Sequence, residues 1–150
     1  MLADILDLNS IELGFDKRRR QQIVERLVEL AAAAHPIGDQ RQLVQEILQR
    51  DSEVSTAVGD GVAIPHKLTA QVSTATLAFL QTRRPGGFST PDGIPVRLCF
   101  LLLAPERAVN EHLRTLSKLA RILHDSRFRQ ALLEATEATA VLELVRQHEQ

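Results

Sequence analysis

Most of the structural information in this chain lies in one stretch near its middle, Ser55-Thr56-Ala57-Val58-Gly59-Asp60-Gly61-Val62-Ala63-Ile64-Pro65-His66. Two glycines bracket a tight turn there, and the short apolar strand that follows them ends at a proline. We therefore expect His66 to lie just past a strand end, with the backbone on its N-terminal side constrained by Pro65. Because glycine has no side chain, Gly59 and Gly61 are expected to keep access to the imidazole open.

The residues before this stretch predict two helices. Apolar residues recur at helical spacing from Asp16 to Ala34, and the helix has to end before Pro36, since a residue that precedes proline avoids the helical region. Asp39 with Gln42 resembles a capping box. This box predicts a second helix, which delivers Arg50 at its end.

The residues after the stretch predict two more strands and three more helices. Val72 to Gln81 alternates as a strand does, Arg83 to Gly93 is a loop with proline and glycine, and Val96 to Leu103 is apolar enough for a strand buried on both faces. This order favours the α/β (α+β mixed) class, as one domain over residues 1–150: a layered sandwich with a mixed central β-sheet flanked by helices. The three predicted helices are one capped by Asn110 and running to Leu123, a shorter one capped by Ser126, and a last one from Val141 to Val145.

Composition excludes several classes of protein. With 18 Lys+Arg against 19 Asp+Glu the formal net charge is -1, so no global field favours nucleic acid or an anionic membrane. The chain has no Trp or Tyr, on which single-stranded nucleic acid stacks. Its longest apolar run, Leu98 to Ala104, is too short to span a bilayer and holds the single cysteine, Cys99, as an expected buried thiol. With an acidic N-terminus unlike a signal peptide, we expect a cytoplasmic protein that binds no nucleic acid and does not insert in the membrane.

The residue with the best case for chemistry is His66. A neutral imidazole is a nucleophile, and a fixed imidazole in a shallow open site suits phosphoryl capture, which depends mainly on positioning and charge stabilisation. That chemistry requires no cofactor and no metal. Judged from the residues alone, the alternative is a turn histidine that is merely exposed or hydrogen-bonded.

The stretch that ends at His66 resembles the active-site signature of the type 2 enzyme IIA domains of the bacterial phosphoenolpyruvate-dependent phosphotransferase system, the mannitol, fructose and nitrogen-regulatory group. Members of that family carry an arginine sixteen positions before the active histidine, which Arg50 matches. They also carry a second histidine forty-six positions after it in an Asn-Glu-His-Leu context, which His112 matches. The resemblance covers nearly the whole chain.

The resemblance implies that His66 accepts a phosphoryl group, on the ring nitrogen farther from the backbone, with Arg50 and His112 beside it. It also implies a histidine-containing phosphocarrier protein as donor, and a IIB domain or a regulatory target protein as acceptor. The residue types agree with these roles, because an arginine fork suits phosphate oxygens and a histidine in the first turn of a helix has a lowered pKa. Ser55 and Thr56 are supporting candidates that can bond the phosphate or the histidine.

Several functions stay open within and beside this family. A chain without a fused IIB or membrane segment favours the free-standing nitrogen-regulatory type over a fructose- or mannitol-type sugar component. Lys67 and Val54 stand where the family has a small residue and a glycine, which leaves open a regulatory binding module that carries no phosphate. A metal-dependent hydrolase using His66 and His112 is disfavoured, because no histidine pair has the spacing of a helical metal motif.

Overall fold

A six-stranded mixed sheet forms the middle layer of the fold. The computed structural model describes residues 1–53 and 55–150. The strands are β1 (Leu6–Phe15), β2 (Ala57–Gly59), β3 (Val62–Ala63), β4 (His66–Leu68), β5 (Thr76–Gly86) and β6 (Val96–Ala104). The helices are α1 (Leu2–Ile5), α2 (Arg20–Ala32), α3 (Gln40–Glu53), α4 (Val109–Leu123), α5 (Ser126–Glu134) and α6 (Ala138–His148).

The strand order is β1-β5-β6-β3-β2, and β4 also pairs with β6, next to β3 along the same edge. β5 and β6 are antiparallel, while β1 runs parallel to β5 and both β3 and β4 run parallel to β6. Side chains of β6 alternate between two cores: Phe100 packs with α4, α5 and α6, and Leu101 packs with α2 and α3. The predicted strand buried on both faces and the layered α/β class with a mixed sheet are confirmed.

The strands before β6 differ most from the prediction. β1 was not predicted, and β5 begins at Thr76 rather than Val72 and continues through Gly86, so the predicted loop starts later than Arg83. Backbone pairing explains this extension, because β5 lies between β1 and β6. On the β1 side the pairing continues as far as Phe15 and Thr82. Backbone pairing of this kind sustains a strand through exposed polar residues that carry no apolar signal.

Two predicted helix caps are wrong by one or two residues. α4 begins at Val109 with Ala108 as its cap, so Asn110 lies inside the first turn rather than at the cap. Ser126 is the first residue of α5, and the cap is Asp125, whose side chain accepts a hydrogen bond from the backbone N–H of Arg127 at 2.9 Å. Aspartate caps a helix as well as serine does, so neighbouring candidates cannot be told apart by residue type alone.

The glycines of the central stretch serve a turn rather than access to His66. Gly59, Asp60 and Gly61 have φ of 95°, 58° and 78°, the left-handed region that the β2–β3 turn requires. β3 pairs Val62 with Leu98, whereas His66 pairs with Leu102, four residues or about 13 Å further along β6. The turn therefore lies away from the imidazole, and the expectation that these glycines open the site is wrong.

A neighbouring loop holds this turn in place. The Asp92 carboxylate accepts hydrogen bonds from the backbone N–H groups of Asp60 at 2.8 Å and Ile94 at 3.1 Å, and these bonds lower the pKa of Asp92. A Cβ on Gly59 would lie 3.1 Å from the same carboxylate. The loop before β6 and the β2–β3 turn thus brace each other.

Two further expectations concern the apolar segments. Within residues 1–53 and 55–150, no helix is long and apolar enough to cross a membrane. Cys99 is fully buried in β6, and burial raises the pKa of its thiol to about 12. The predicted burial of this thiol is confirmed.

Candidate functional site

The backbone fixes the ring of His66 through one short hydrogen bond. His66 follows β3 after Pro65, as predicted, but it is also the first residue of β4 and pairs with Leu102. Its Nδ1 lies 2.6 Å from the carbonyl oxygen of Ile64. Because a carbonyl oxygen only accepts, Nδ1 carries the proton in this arrangement and Nε2 keeps its lone pair. The half-buried imidazole therefore has one nitrogen committed to the backbone and one available for chemistry.

The second predicted histidine lies beside the first. The ring centroids of His66 and His112 are 5.9 Å apart, with the rings tilted by 44°. His112 is the fourth residue of α4, and its backbone N–H donates to the Ala108 carbonyl oxygen at 2.9 Å, the first hydrogen bond of the helix. The side chain is 6% exposed, and within the described residues its Nδ1 has no hydrogen-bond partner. Burial first, and the charge of a protonated His66 second, lower the pKa of His112.

The lowered pKa of His112 predicts a pH dependence of stability. The unfolded chain takes up a proton near the ordinary histidine pKa of about 6.5, whereas the folded chain does so only at lower pH. This group's contribution to stability is therefore present above that pH and is lost as the pH falls through the folded pKa.

Urea unfolding at about pH 7.5 and about pH 5.5 checks this expectation in the wild type and in His112→Gln. The free energy of unfolding should fall less on acidification in the variant, which has no titrating group at this position. Equal losses in the two proteins would show that the buried imidazole titrates normally.

The two supporting hydroxyl residues have protein partners. The buried Asp51 carboxylate accepts from the Thr56 backbone N–H at 2.9 Å and from the Thr56 hydroxyl at 2.8 Å, and it pairs with Arg20 at 2.8 Å. The Ser55 hydroxyl donates to the carbonyl oxygen of Ser89 at 2.7 Å. Both hydroxyls therefore fix the segment that leads into β2. Asp51 was not predicted, since an acid at a helix end gives no sequence sign that it is buried.

Arg50 lies in the last turn of α3 with an exposed side chain. Among the described residues it makes no side-chain hydrogen bond or ion pair; its neighbour Asp51 pairs with Arg20 instead. The structure thus brings the rings of His66 and His112 together. The Arg50 guanidinium is free to bind an anion from solvent.

Lys67 departs from the family pattern, but its side chain lies on the opposite face of the sheet from the imidazole of His66. It is the second residue of β4 and pairs with Leu103, whereas His66 pairs with Leu102. Successive strand residues point to opposite faces, so Lys67 lies on the face of α2 and α3. Val54, the other departure, lies outside the described residues.

The surroundings of the two histidines include a cavity on the His112 side. In the part of the chain that the structure describes, no three His, Cys, Asp or Glu side chains group as a metal site. A cavity of about 210 Å³ lies beside His112, with Glu111 and Thr115 in its wall. The arrangement offers one nucleophilic nitrogen and one neutral imidazole for hydrogen bonding.

Comparisons with known proteins agree with this arrangement. Residues 4–148 match the family model described as phosphoenolpyruvate-dependent sugar phosphotransferase system, EIIA 2. A nitrogen regulatory protein of Bradyrhizobium diazoefficiens is 40% identical over 119 residues, 78% of each chain. The fructose-specific EIIABC component of Bacillus subtilis is 31% identical over 148 residues, 99% of this chain, which spans 23% of that relative's length.

Among solved structures, the nitrogen regulatory protein IIA-Ntr from Neisseria meningitidis matches with a TM-score of 0.88 and 36% identity, over 95% of this chain and 97% of that one. The family resemblance seen in the sequence is confirmed. The chain belongs to the type 2 EIIA family of the phosphoenolpyruvate-dependent sugar phosphotransferase system.

Proposed function

We propose that this protein is a phosphocarrier in which Nε2 of His66 accepts a phosphoryl group from a histidine-containing phosphocarrier protein. The observation that carries the proposal is the 2.6 Å bond between Nδ1 of His66 and the Ile64 carbonyl oxygen. It fixes the ring and the tautomer, and it leaves Nε2 as the nucleophile. As Nε2 bonds to phosphorus, the donor's nitrogen leaves, and the imidazolium charge is stabilised by the same carbonyl.

His112 is proposed as a neutral hydrogen-bond donor to the transferred group. Its lowered pKa keeps it neutral near pH 7, so it carries one ring proton. A proton on the buried Nδ1 would be a donor without a partner, so we assign it to Nε2. From there the N–H can reach phosphoryl oxygens next to His66, at the 5.9 Å separation of the rings.

Arg50 is proposed to hold phosphoryl oxygens during transfer, because its guanidinium is exposed and has no protein partner among the described residues.

Replacing Arg50 with alanine is expected to slow phosphoryl acceptance by about a hundredfold. Arg50→Lys is expected to slow it less, since lysine keeps the charge and loses the guanidinium fork. Arg41→Ala, an exposed arginine on the same helix, is the matched control. Rapid-quench measurement of the rate of phosphoryl acceptance in each variant checks this prediction. Equal rates for Arg50→Ala and Arg41→Ala would remove Arg50 from the site.

Ser55 and Thr56 are proposed to support the site indirectly, by holding the segment between α3 and β2. Their hydroxyls already have protein partners, so bonding to phosphate would require exchanging those partners.

The regulatory function is favoured within the family by the 40% identity with a nitrogen regulatory protein. The phosphorylation state of His66 would then decide the binding of a target protein.

The alternative is a sugar-specific component that passes the group to a IIB domain, supported by the 31% identity with a fructose-specific EIIABC component. Mixing the phosphorylated protein with a fructose-type IIB domain separates the two functions. Fast transfer to the IIB domain supports the sugar function, and its absence supports the regulatory one.

The proposed phosphocarrier is tested by incubation with phosphoenolpyruvate, enzyme I and a histidine-containing phosphocarrier protein, followed by intact mass. We expect a gain of about 80 Da, one phosphoryl group, that is lost in acid as phosphohistidine is. No gain with any histidine-phosphorylated donor would instead indicate the binding module that carries no phosphate.

A further inference from the structure

A cluster of cations lies at the end of the sheet away from the two histidines. Lys17, Arg18 and Arg19 form the loop between β1 and α2, and Arg83 and Arg84 lie near the end of β5. All five side chains are on exposed residues. We call these five residues the basic end.

Hydrogen bonds hold the two segments of the basic end together. The backbone N–H of Gly87 donates to the carbonyl of Arg18 at 2.8 Å, and the Arg18 side chain donates to the Pro85 carbonyl at 3.3 Å. The Arg84 guanidinium donates to the backbone carbonyl of Asp16 at 3.4 Å. The charges therefore form one surface rather than two independent loops.

The charge of the basic end is largely uncompensated. Within the described residues none of its five side chains forms an ion pair, whereas the next arginine, Arg20, is paired with Asp51. Asp16 is the one acid in the same loop. Keeping like charges together costs stability through repulsion, so a surface of this kind is expected to attract an anion.

The form of the charge favours a short anionic partner. Without these five cations the chain has 13 Lys+Arg against 19 Asp+Glu, a formal charge of -6 for everything else. A membrane or a nucleic-acid duplex is larger than the basic end and would also face the negatively charged rest of the protein, which repels it. A short acidic peptide can contact the basic end alone. Four of the five are arginines, whose forks match carboxylates. Among the described residues, none of the exposed large apolar side chains belongs to the two segments of the basic end: Met1, Leu8, Val58, Ile94, Val109 and Leu113.

We propose that the basic end binds a short acidic segment of a partner protein, at a surface separate from the phosphorylation site. Arg83 and Arg84 lie between Gln81, which pairs with Leu98, and Gly86, which pairs with Val96. His66 pairs with Leu102, so the two sites are four to six residues, or about 13 to 20 Å, apart along β6. That distance is longer than the Debye length of about 10 Å at 0.1 M salt. Phosphorylation of His66 is therefore expected to change binding at the basic end by less than about threefold, and this surface does not depend on the proposed phosphocarrier function.

Fluorescence anisotropy with a labelled peptide of about ten glutamates, in 0.1 M salt, tests the proposal. The test variant is Lys17→Glu/Arg19→Glu/Arg83→Glu, which replaces three side chains that form no hydrogen bond with the residues the structure describes. The control reverses the same number of exposed charges on α4 and α5, Lys118→Glu/Arg121→Glu/Arg127→Glu. We expect the test variant to weaken binding at least about tenfold and the control to change it by less than about threefold.

Thermal unfolding of both variants verifies that they fold. An equal loss in the control would mean that net charge alone drives binding, and no binding by the wild type would also overturn the proposal. So would tighter binding to duplex DNA or to phosphatidylglycerol vesicles than to the peptide. A change of more than about threefold on phosphorylation would contradict the separation of the two surfaces.

Discussion

Replacing His66 with alanine is expected to abolish phosphoryl acceptance, with a rate at least about a thousandfold below that of the wild type. The substitution removes the only nucleophile that is assigned to the reaction. Since His66 is half-buried, stability should change by about 1 kcal/mol or less. Intact mass after incubation with the phosphorylated donor measures the first effect, and urea unfolding measures the second.

Two comparison variants make this result specific. His124→Ala removes an exposed histidine at the C-terminal end of α4 and should accept phosphate as the wild type does. His66→Gln keeps a side chain that can donate to the Ile64 carbonyl but has no nucleophilic nitrogen, so it should fail like alanine. Phosphorylation of His66→Ala at a normal rate would assign the acceptor to another residue.

Replacing Asp51 with alanine is expected to lower the free energy of unfolding by about 3 kcal/mol. The variant leaves the Thr56 N–H and hydroxyl buried without their partner, and it leaves Arg20 without its counter-ion. Arg20 is partly exposed and can be solvated, so most of the loss comes from the Thr56 groups.

Chemical denaturation checks the Asp51 prediction, with Glu53→Ala as control. Glu53 is an exposed acid at the end of the same helix whose carboxylate accepts from Gln49, so its removal should cost less than about 0.5 kcal/mol. A similar cost for the two variants would contradict the assigned role of Asp51. Asp51→Asn should lie between them, since its amide oxygen still accepts from Thr56 but carries no charge.

The predictable parts of the fold are those that the apolar pattern alone determines. β6 is continuous and apolar because both its faces are buried, so its sequence identifies it. β1 is different: its first half carries Asp7 and Asn9, and its pairing with β5 shifts register between Leu6 and Ile11. An irregular edge strand of this kind has no regular alternation, and only its partner strand defines it.

The site divides in the same way. The pairing of His66 with His112 follows from the family motifs, and the structure places their rings together. The Nδ1 bond to Ile64 and the Asp51 contacts depend on side-chain directions at strand and helix ends, which sequence spacing does not determine. The predicted cap of α4, Asn110, lies two residues after the observed cap, Ala108. His112 nevertheless lies in the first turn of α4, because an error of two residues does not move it out of that turn.

The identity of the phosphorylated nitrogen is the most direct test of the proposed chemistry. Long-range ¹H–¹⁵N NMR of the phosphorylated protein, labelled at histidine nitrogens, identifies both the residue and the ring position. The bond from Nδ1 of His66 to the Ile64 carbonyl predicts a phosphoryl group on Nε2 of His66, with Nδ1 still protonated. A phosphoryl group on Nδ1, or on any other residue, would contradict it.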